Sequence, residues 1–146
     1  MLQRACISSE KLFLLSELLT SKTIRSTLQE INLSSNLFFD LRSLKHFIKA
    51  LQALKSLKRL NLSNNYIGDE LGCFLIKNLE EKPQLEYINL ANTGMGECSL
   101  MAAKHHLAEN KFITYLNLSG GHFKNKLSRF FKGICFFNNN EKFLTK

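Results

Sequence analysis

Glu30, Arg59, Tyr87 and Tyr115 recur at near-constant intervals of 29, 28 and 28 residues, one acid, one base and two phenols at equivalent places in the chain. Lys58 and Glu86 stand beside two of them. The chemistry open to such a set is recognition by charge pairing, stacking and hydrogen bonding. Tyr and Arg are both enriched among interface anchors. The competing reading is a solvated strand face with no ligand.

Catalytic chemistry has no comparable signature. The chain holds no G-x-S-x-G, no Walker loop and no H-E-x-x-H. Gly94 and Gly96 lack the later glycine of a dinucleotide site. His105 and His106 are adjacent, so on a helix their rings diverge by about 100° and cannot chelate one metal. Cys6, Cys73, Cys98 and Cys135 are too dispersed for a zinc set or a disulfide framework, and read as free buried thiols in a reducing compartment. No catalytic residue, metal or cofactor is expected.

The intervals belong to a longer pattern. Leu57-Lys58-Arg59-Leu60-Asn61-Leu62-Ser63-Asn64-Asn65-Tyr66-Ile67 has the form L-x-x-L-x-L-x-x-N-x-I, and related segments begin at Leu28, Leu85 and Ile113. Self-similarity at such a period marks a solenoid. Each L-x-x-L-x-L is a short strand, with Ile31 and Leu33, Leu60 and Leu62, Ile88 and Leu90, and Leu116 and Leu118 facing inward. The outward residues make three concave columns: Glu30, Arg59, Tyr87, Tyr115; then Asn32, Asn61, Asn89, Asn117; then Ser34, Ser63, Ala91, Ser119. The Asn column reads as repeat structure rather than as a ligand site. Asn36 and Asn65 can bond the turning backbone; Thr93 and Gly121 replace them, so this ladder is expected to weaken C-terminally.

The pattern resembles the leucine-rich-repeat family, in its long-repeat, ribonuclease-inhibitor-like class. The resemblance rests on Ile67-Gly68-Asp69-Glu70-Leu71-Gly72 running on to Leu75 and Leu79, and on the helix ending Leu107-Ala108-Glu109-Asn110-Lys111. It implies an α/β solenoid of about four parallel strands with convex helices. It also implies a protein partner on the concave face, at Glu30, Lys58, Arg59, Glu86, Tyr87 and Tyr115. The same resemblance extends to leucine-rich-repeat effectors of intracellular bacteria, folded in the cytosol and delivered into a host cell.

The remaining elements must hold that face. Residues 1–27 form an N-terminal cap whose helix spans 9–20, covering the open end of the stack and burying Phe13 and Leu14; 20–27 is a polar connection. Repeats occupy 28–56, 57–84, 85–112 and, partially, 113–123. Asp40, Asp69 and Glu97 are expected N-caps. Leu41, Leu44, Ile48 and Leu51 give the first convex helix its apolar face; Leu71, Phe74, Leu75 and Leu79 give the second; Leu100, Ala103 and Leu107 the third. The extra residue of the first repeat is placed after its helix.

Net charge is +8, and residues 124–146 supply +5 of it with six Lys or Arg against one Glu. There Lys126, Arg129 and Lys132 interleave with Leu127, Phe130 and Phe131 in a possible short basic helix, and no further strand motif begins. This tail reads as a C-terminal cap or, alternatively, as a membrane- or nucleic-acid-associating element. Arg42, Lys45, Lys49, Lys55, Lys58 and Arg59 face an acidic group of Asp69, Glu70, Glu80, Glu81, Glu86 and Glu97, which reads as solvated faces or as a route to self-association. No apolar run approaches the ~18 residues of a membrane span.

Overall fold

Strand recurrence at one repeat spacing produces a parallel sheet, because each strand returns through a crossover before pairing with its predecessor. The computed structural model describes residues 2, 4–36, 40–80, 82–107 and 110–122, with 135–137 described as backbone. Strands β1 (Glu30–Asn32), β2 (Arg59–Asn61), β3 (Tyr87–Asn89) and β4 (Tyr115–Asn117) pair in that order, parallel and in register. A further strand, β5 (Cys135–Phe137), pairs antiparallel with β4. Its opposite direction shows that it is not another repeat, and it occupies the edge of β4 that would otherwise be open.

Before the first strand come α1 (Ser9–Leu19), capped by the Ser8 hydroxyl, and α2 (Lys22–Thr27), capped by Ser21. The supposed polar connection is thus largely a short helix. Three convex helices follow: α3 (Leu41–Gln52), α4 (Asp69–Leu79) and α5 (Glu97–Leu107). The inward strand residues are all buried, together with Leu44, Phe47, Ile48 and Leu51 of α3 and Leu75, Ile76 and Leu79 of α4. One continuous apolar core fills the space between the sheet and these helices.

Three side chains of the expected core lie outside it. Leu14 is 63% exposed and Phe13 is 39% exposed, since α1 buries Leu12, Ser16 and Leu19 and Leu14 lies across the helix from them. The Phe13 ring stacks instead on His46, with centroids 4.4 Å apart. Leu41 is 66% exposed, as the first residue of α3 it precedes the packed face, which includes the fully buried Phe47. The additional residue of the first repeat is not after α3 either. Six residues (53–58) separate α3 from β2, against seven (80–86) between α4 and β3, while α3 itself has 12 residues against 11.

Adjacent repeats are tied by polar groups that reach across the stack. The buried Asn65 accepts the Asn36 N–H at 2.8 Å and donates to the carbonyls of Leu33, Leu62 and Ser63. Asn36 does the same for the N-terminal segment, accepting from the Ile7 N–H and donating to the Leu2 carbonyl. Leu2, Arg4 and Ile7 therefore bond to the first repeat much as a repeat turn bonds to its neighbour. Thr93 has one such side-chain bond, to the Leu90 carbonyl at 2.6 Å. The side-chain ladder is accordingly poorer there than at Asn65. Lys82 adds another tie: its buried Nζ donates to the carbonyls of Gln52 and Leu54, at 2.7 and 2.9 Å, at the end of α3.

Capping also crosses between repeats. Asp40 caps its own helix, α3, through the N–H groups of Arg42 and Ser43. Asp69 does not, contrary to expectation: the N-cap of α4 is Gly68, which offers no side-chain bond, and Asp69 is the helix's first residue. The Asp69 carboxylate instead accepts from the N–H groups of Gly96, Cys98 and Ser99, capping α5 of the following repeat. Glu97, expected in that role, is the first residue of α5. Burial alone would raise the Asp69 pKa; the hydrogen bonds from Ser99, Cys98 and Gly96 outweigh it and hold the carboxyl below its ordinary value.

Asp69→Ala is therefore expected to lower stability at pH 7 by about 0.5–2 kcal/mol, the usual range for a lost cap. Because the folded pKa is depressed, that contribution is complete above the ordinary carboxylate pKa and disappears as pH falls through the folded value. Denaturant midpoints of wild type and variant, followed downward from pH 7, should converge in acid. A gap independent of pH would mean that the charge is not what caps α5.

Candidate functional site

Register decides the geometry of the concave face. Parallel strands lie about 4.8 Å apart, which is close to an aromatic stacking distance, so equivalent side chains on successive strands meet face to face. Tyr87 and Tyr115 do so, with centroids 4.3 Å apart and planes within 4° of parallel. The Arg59 guanidinium continues the stack, its Cζ 4.3 Å from the Tyr87 ring centroid. Arg59 Nε then lies 3.9 Å from Glu30 Oε2, a loose pair with both side chains about half exposed. The structure thus joins the four residues into one ladder across β1 to β4. An exposed ion pair of this kind adds little to stability, so the acid and the base retain capacity for other partners.

The tyrosines are held from below. The Asn117 amide donates to the Tyr115 hydroxyl at 3.2 Å, and that of Asn89 to the Tyr87 hydroxyl at 3.5 Å. With the ring faces turned toward each other, ring edges are left for the concave side, while each hydroxyl is held by the asparagine two residues along its strand. The Asn side chains are committed within the chain. Asn32 Oδ1 accepts both the N–H and the hydroxyl of Ser34, and Asn61 Oδ1 does so for Ser63. Ser34 and Ser63 are consequently buried rather than forming the expected surface column. Asn89 and Asn117 accept the N–H groups of Ala91 and Ser119 in the same way.

Lys58 and Glu86 are not part of the ladder. They lie one residue earlier, in a row with Gln29 and Thr114: the Lys58 N–H donates to the Gln29 carbonyl, and the Glu86 carbonyl accepts from the Thr114 N–H. Glu86 is exposed, while Lys58 is half-buried, a correction to its expected exposure. Phe137 of β5 sits in register beside Tyr115 and extends the row by one position. Sequence reasoning missed it because β5 lies outside the repeat period and runs the other way. Lys126, Arg129, Phe130, Phe131 and Lys132 lie outside the described residues.

Several groups on the convex side have partners within the chain. Glu80 bonds His106 Nδ1 at 2.7 Å, Glu17 bonds His46 Nε2 at 2.6 Å, and Lys45 lies 5.7 Å from the Phe74 ring centroid. The His105 and His106 rings are nearly perpendicular, at 86°. Among the described residues, no three His, Cys, Asp or Glu converge as a metal site. Cys73 is buried, but Cys6 and Cys98 are exposed, correcting the expectation of buried thiols. A hydrogen bond with the Cys73 thiol, then burial and nearby negative charge, push the Cys98 thiol up to about 11, so it is protonated at neutral pH and a poor nucleophile. Among the described residues, no helix is long and apolar enough to cross a membrane.

A family profile described as "Leucine Rich repeat" matches residues 53–70. Curated protein sequences include no match to the chain. Among solved structures, leiomodin-1 actin-binding site 2 is similar at 18% identity and a TM-score of 0.57, over 77% of this chain and 61% of that one. An internalin from Listeria monocytogenes is similar at 16% identity and a TM-score of 0.46, over 77% of this chain and 34% of that one. This chain therefore spans less than two thirds of either. In its parallel sheet, its convex helices and its likeness to leiomodin-1, the fold is that of an α/β leucine-rich-repeat solenoid.

Proposed function

We propose that the protein is a non-catalytic binding module that takes a protein partner on its concave strand face. The observation that carries this reading is the preformed ladder Glu30–Arg59–Tyr87–Tyr115, whose side chains are ordered by stacking before any partner arrives. Groups already held in one arrangement lose little freedom on binding, which leaves more of the contact energy for affinity. The solved leiomodin-1 chain of the same fold is named for an actin-binding site, a precedent for protein recognition on this scaffold. The setting we propose is a cytosolically folded module delivered into a host cell by a bacterium; a tagged copy that fails to translocate during infection removes that setting.

The test is affinity capture from host-cell lysate, read by mass spectrometry, with a variant carrying Arg59→Glu, Tyr87→Ala and Tyr115→Ala. A second variant replaces Lys126, Arg129 and Lys132 by Ala. All three proteins are first shown to be folded and their mass in solution is measured. A partner bound by wild type should weaken by about 100-fold or more on the ladder variant, since interface anchors commonly contribute 2 kcal/mol or more each, and should survive the tail substitutions. Loss on the tail variant alone would move binding to residues 124–146. Capture of the chain by itself would replace the reading with self-assembly.

A further inference from the structure

The arrangement of the ladder narrows the kind of segment that fits it. Its rungs run across the strands, at steps of about 4.8 Å, so Glu30 to Tyr115 spans roughly 14 Å in three steps. An α-helix returns a side chain to the same face every 5.4 Å, or about 16 Å in three turns. An extended segment returns one every second residue, about 6.6–6.8 Å, or about 20 Å in three steps. The helix stays within half a strand of each rung. The extended segment drifts past a whole strand, and one turned parallel to the strands would meet a single rung.

The chemistry of the rungs is ordered as well. Glu30 and Arg59, on β1 and β2, are charged and exposed; Tyr87 and Tyr115, on β3 and β4, are aromatic and half-buried. Both faces of Tyr87 and one face of Tyr115 are used in the stack, which leaves ring edges outward. Ring edges are apolar C–H surface carrying the positive end of the aromatic quadrupole, so they pack against aliphatic side chains by area and draw a methionine sulfur by charge. Charge complementarity sets the other two positions: an acid opposite Arg59 and a base opposite Glu30.

We propose that the concave face receives an amphipathic α-helix of a partner protein, laid across the strands, with a basic, an acidic and two apolar side chains on successive turns meeting Glu30, Arg59, Tyr87 and Tyr115. This rests on the concave-face reading above and specifies its partner. The helix docks through an i, i+4, i+7, i+11 pattern and forms few backbone hydrogen bonds with the sheet. The order of its charges is set by the order of the strands. Exchanging the charges on β1 and β2 exchanges the acid and the base of the helix that fits.

The test is a display library of random peptides of about sixteen residues, enough for four turns, panned on the full chain. Enriched peptides are synthesised, and their affinities are measured for wild type, for the ladder variant and for a chain carrying Glu30→Arg with Arg59→Glu. The expected result has three parts. Binding is lost on the ladder variant; alanine scanning of the peptide finds sensitive positions at helical spacing, and a central proline abolishes binding. Exchanging the peptide's acid and base weakens binding to wild type by about tenfold and restores it on the charge-reversed chain. Peptides lost on the ladder variant but sensitive at every second residue, and tolerant of proline, would overturn the helix while leaving the concave site in place. Peptides indifferent to the ladder variant, or no enrichment at all, would overturn both.

Discussion

Asn65→Ala is expected to destabilise the fold by about 2–6 kcal/mol, because a buried donor and a buried acceptor each lose a partner at about 1–3 kcal/mol apiece. The Asn36 N–H loses the amide oxygen at 2.8 Å, and the Leu62 carbonyl loses the amide nitrogen at 2.8 Å. Two other carbonyls are spared: Leu33 still accepts from Asn36 Nδ2, and Ser63 still accepts from the Ser35 N–H. Against a total stability on the order of 5–15 kcal/mol for a domain of this kind, the loss is large. Asn65→Thr separates the two bonds. Thr93 shows that threonine keeps the bond to the carbonyl three residues back, at 2.6 Å. The Thr variant should therefore lose about half as much as Ala. Urea denaturation gives both values, and amide exchange at Asn36 should quicken in both. Two variants within about 0.5 kcal/mol of wild type would mean that the turns are held by their backbone bonds alone.

Phe47→Ala should cost about 3–5 kcal/mol, the usual range for deleting a buried aromatic ring and leaving a cavity. Phe47 has 0% exposure at the centre of α3, a helix that packs against both α1 and α4. Leu41→Ala, six residues earlier on the same helix, and Leu14→Ala on α1 should each change stability by no more than about 0.5 kcal/mol, as expected at exposed positions. The comparison is a direct test of where the core ends on this side. A Leu14 substitution as costly as that of Phe47 would show that the α1 surface is covered in solution, by another copy or by part of this chain.

These two results also mark where the sequence is legible and where it is not. Asn65 is readable because its place in the repeat requires an amide that turns the chain, and the period locates it. Phe47 is harder to read, since the 3.6-residue period leaves a broad apolar stripe on α3 and does not say where the stripe is centred. Leu41 matches the stripe by spacing but stands at the helix start. Phe13 and Leu14 lie in a leucine-rich helix where apolar residues occur on nearly every side, so composition alone cannot choose the buried face.

By itself the sequence determined the solenoid, the four parallel strands and the inward set from Ile31 to Leu118, because a strict period forces equivalent residues into equivalent environments. It also placed Glu30, Arg59, Tyr87 and Tyr115 in one column, since in-register stacking follows from that period. The tertiary structure decided what depends on contact between non-equivalent groups. It gave the Asp69 carboxylate to α5 rather than to its own helix, folded Ser34 and Ser63 beneath the asparagines, and set β5 antiparallel against β4. It also turned a column of four residues into a stacked ladder with ring edges outward. Distances between side chains on different repeats fix those outcomes, and no one-dimensional pattern encodes them.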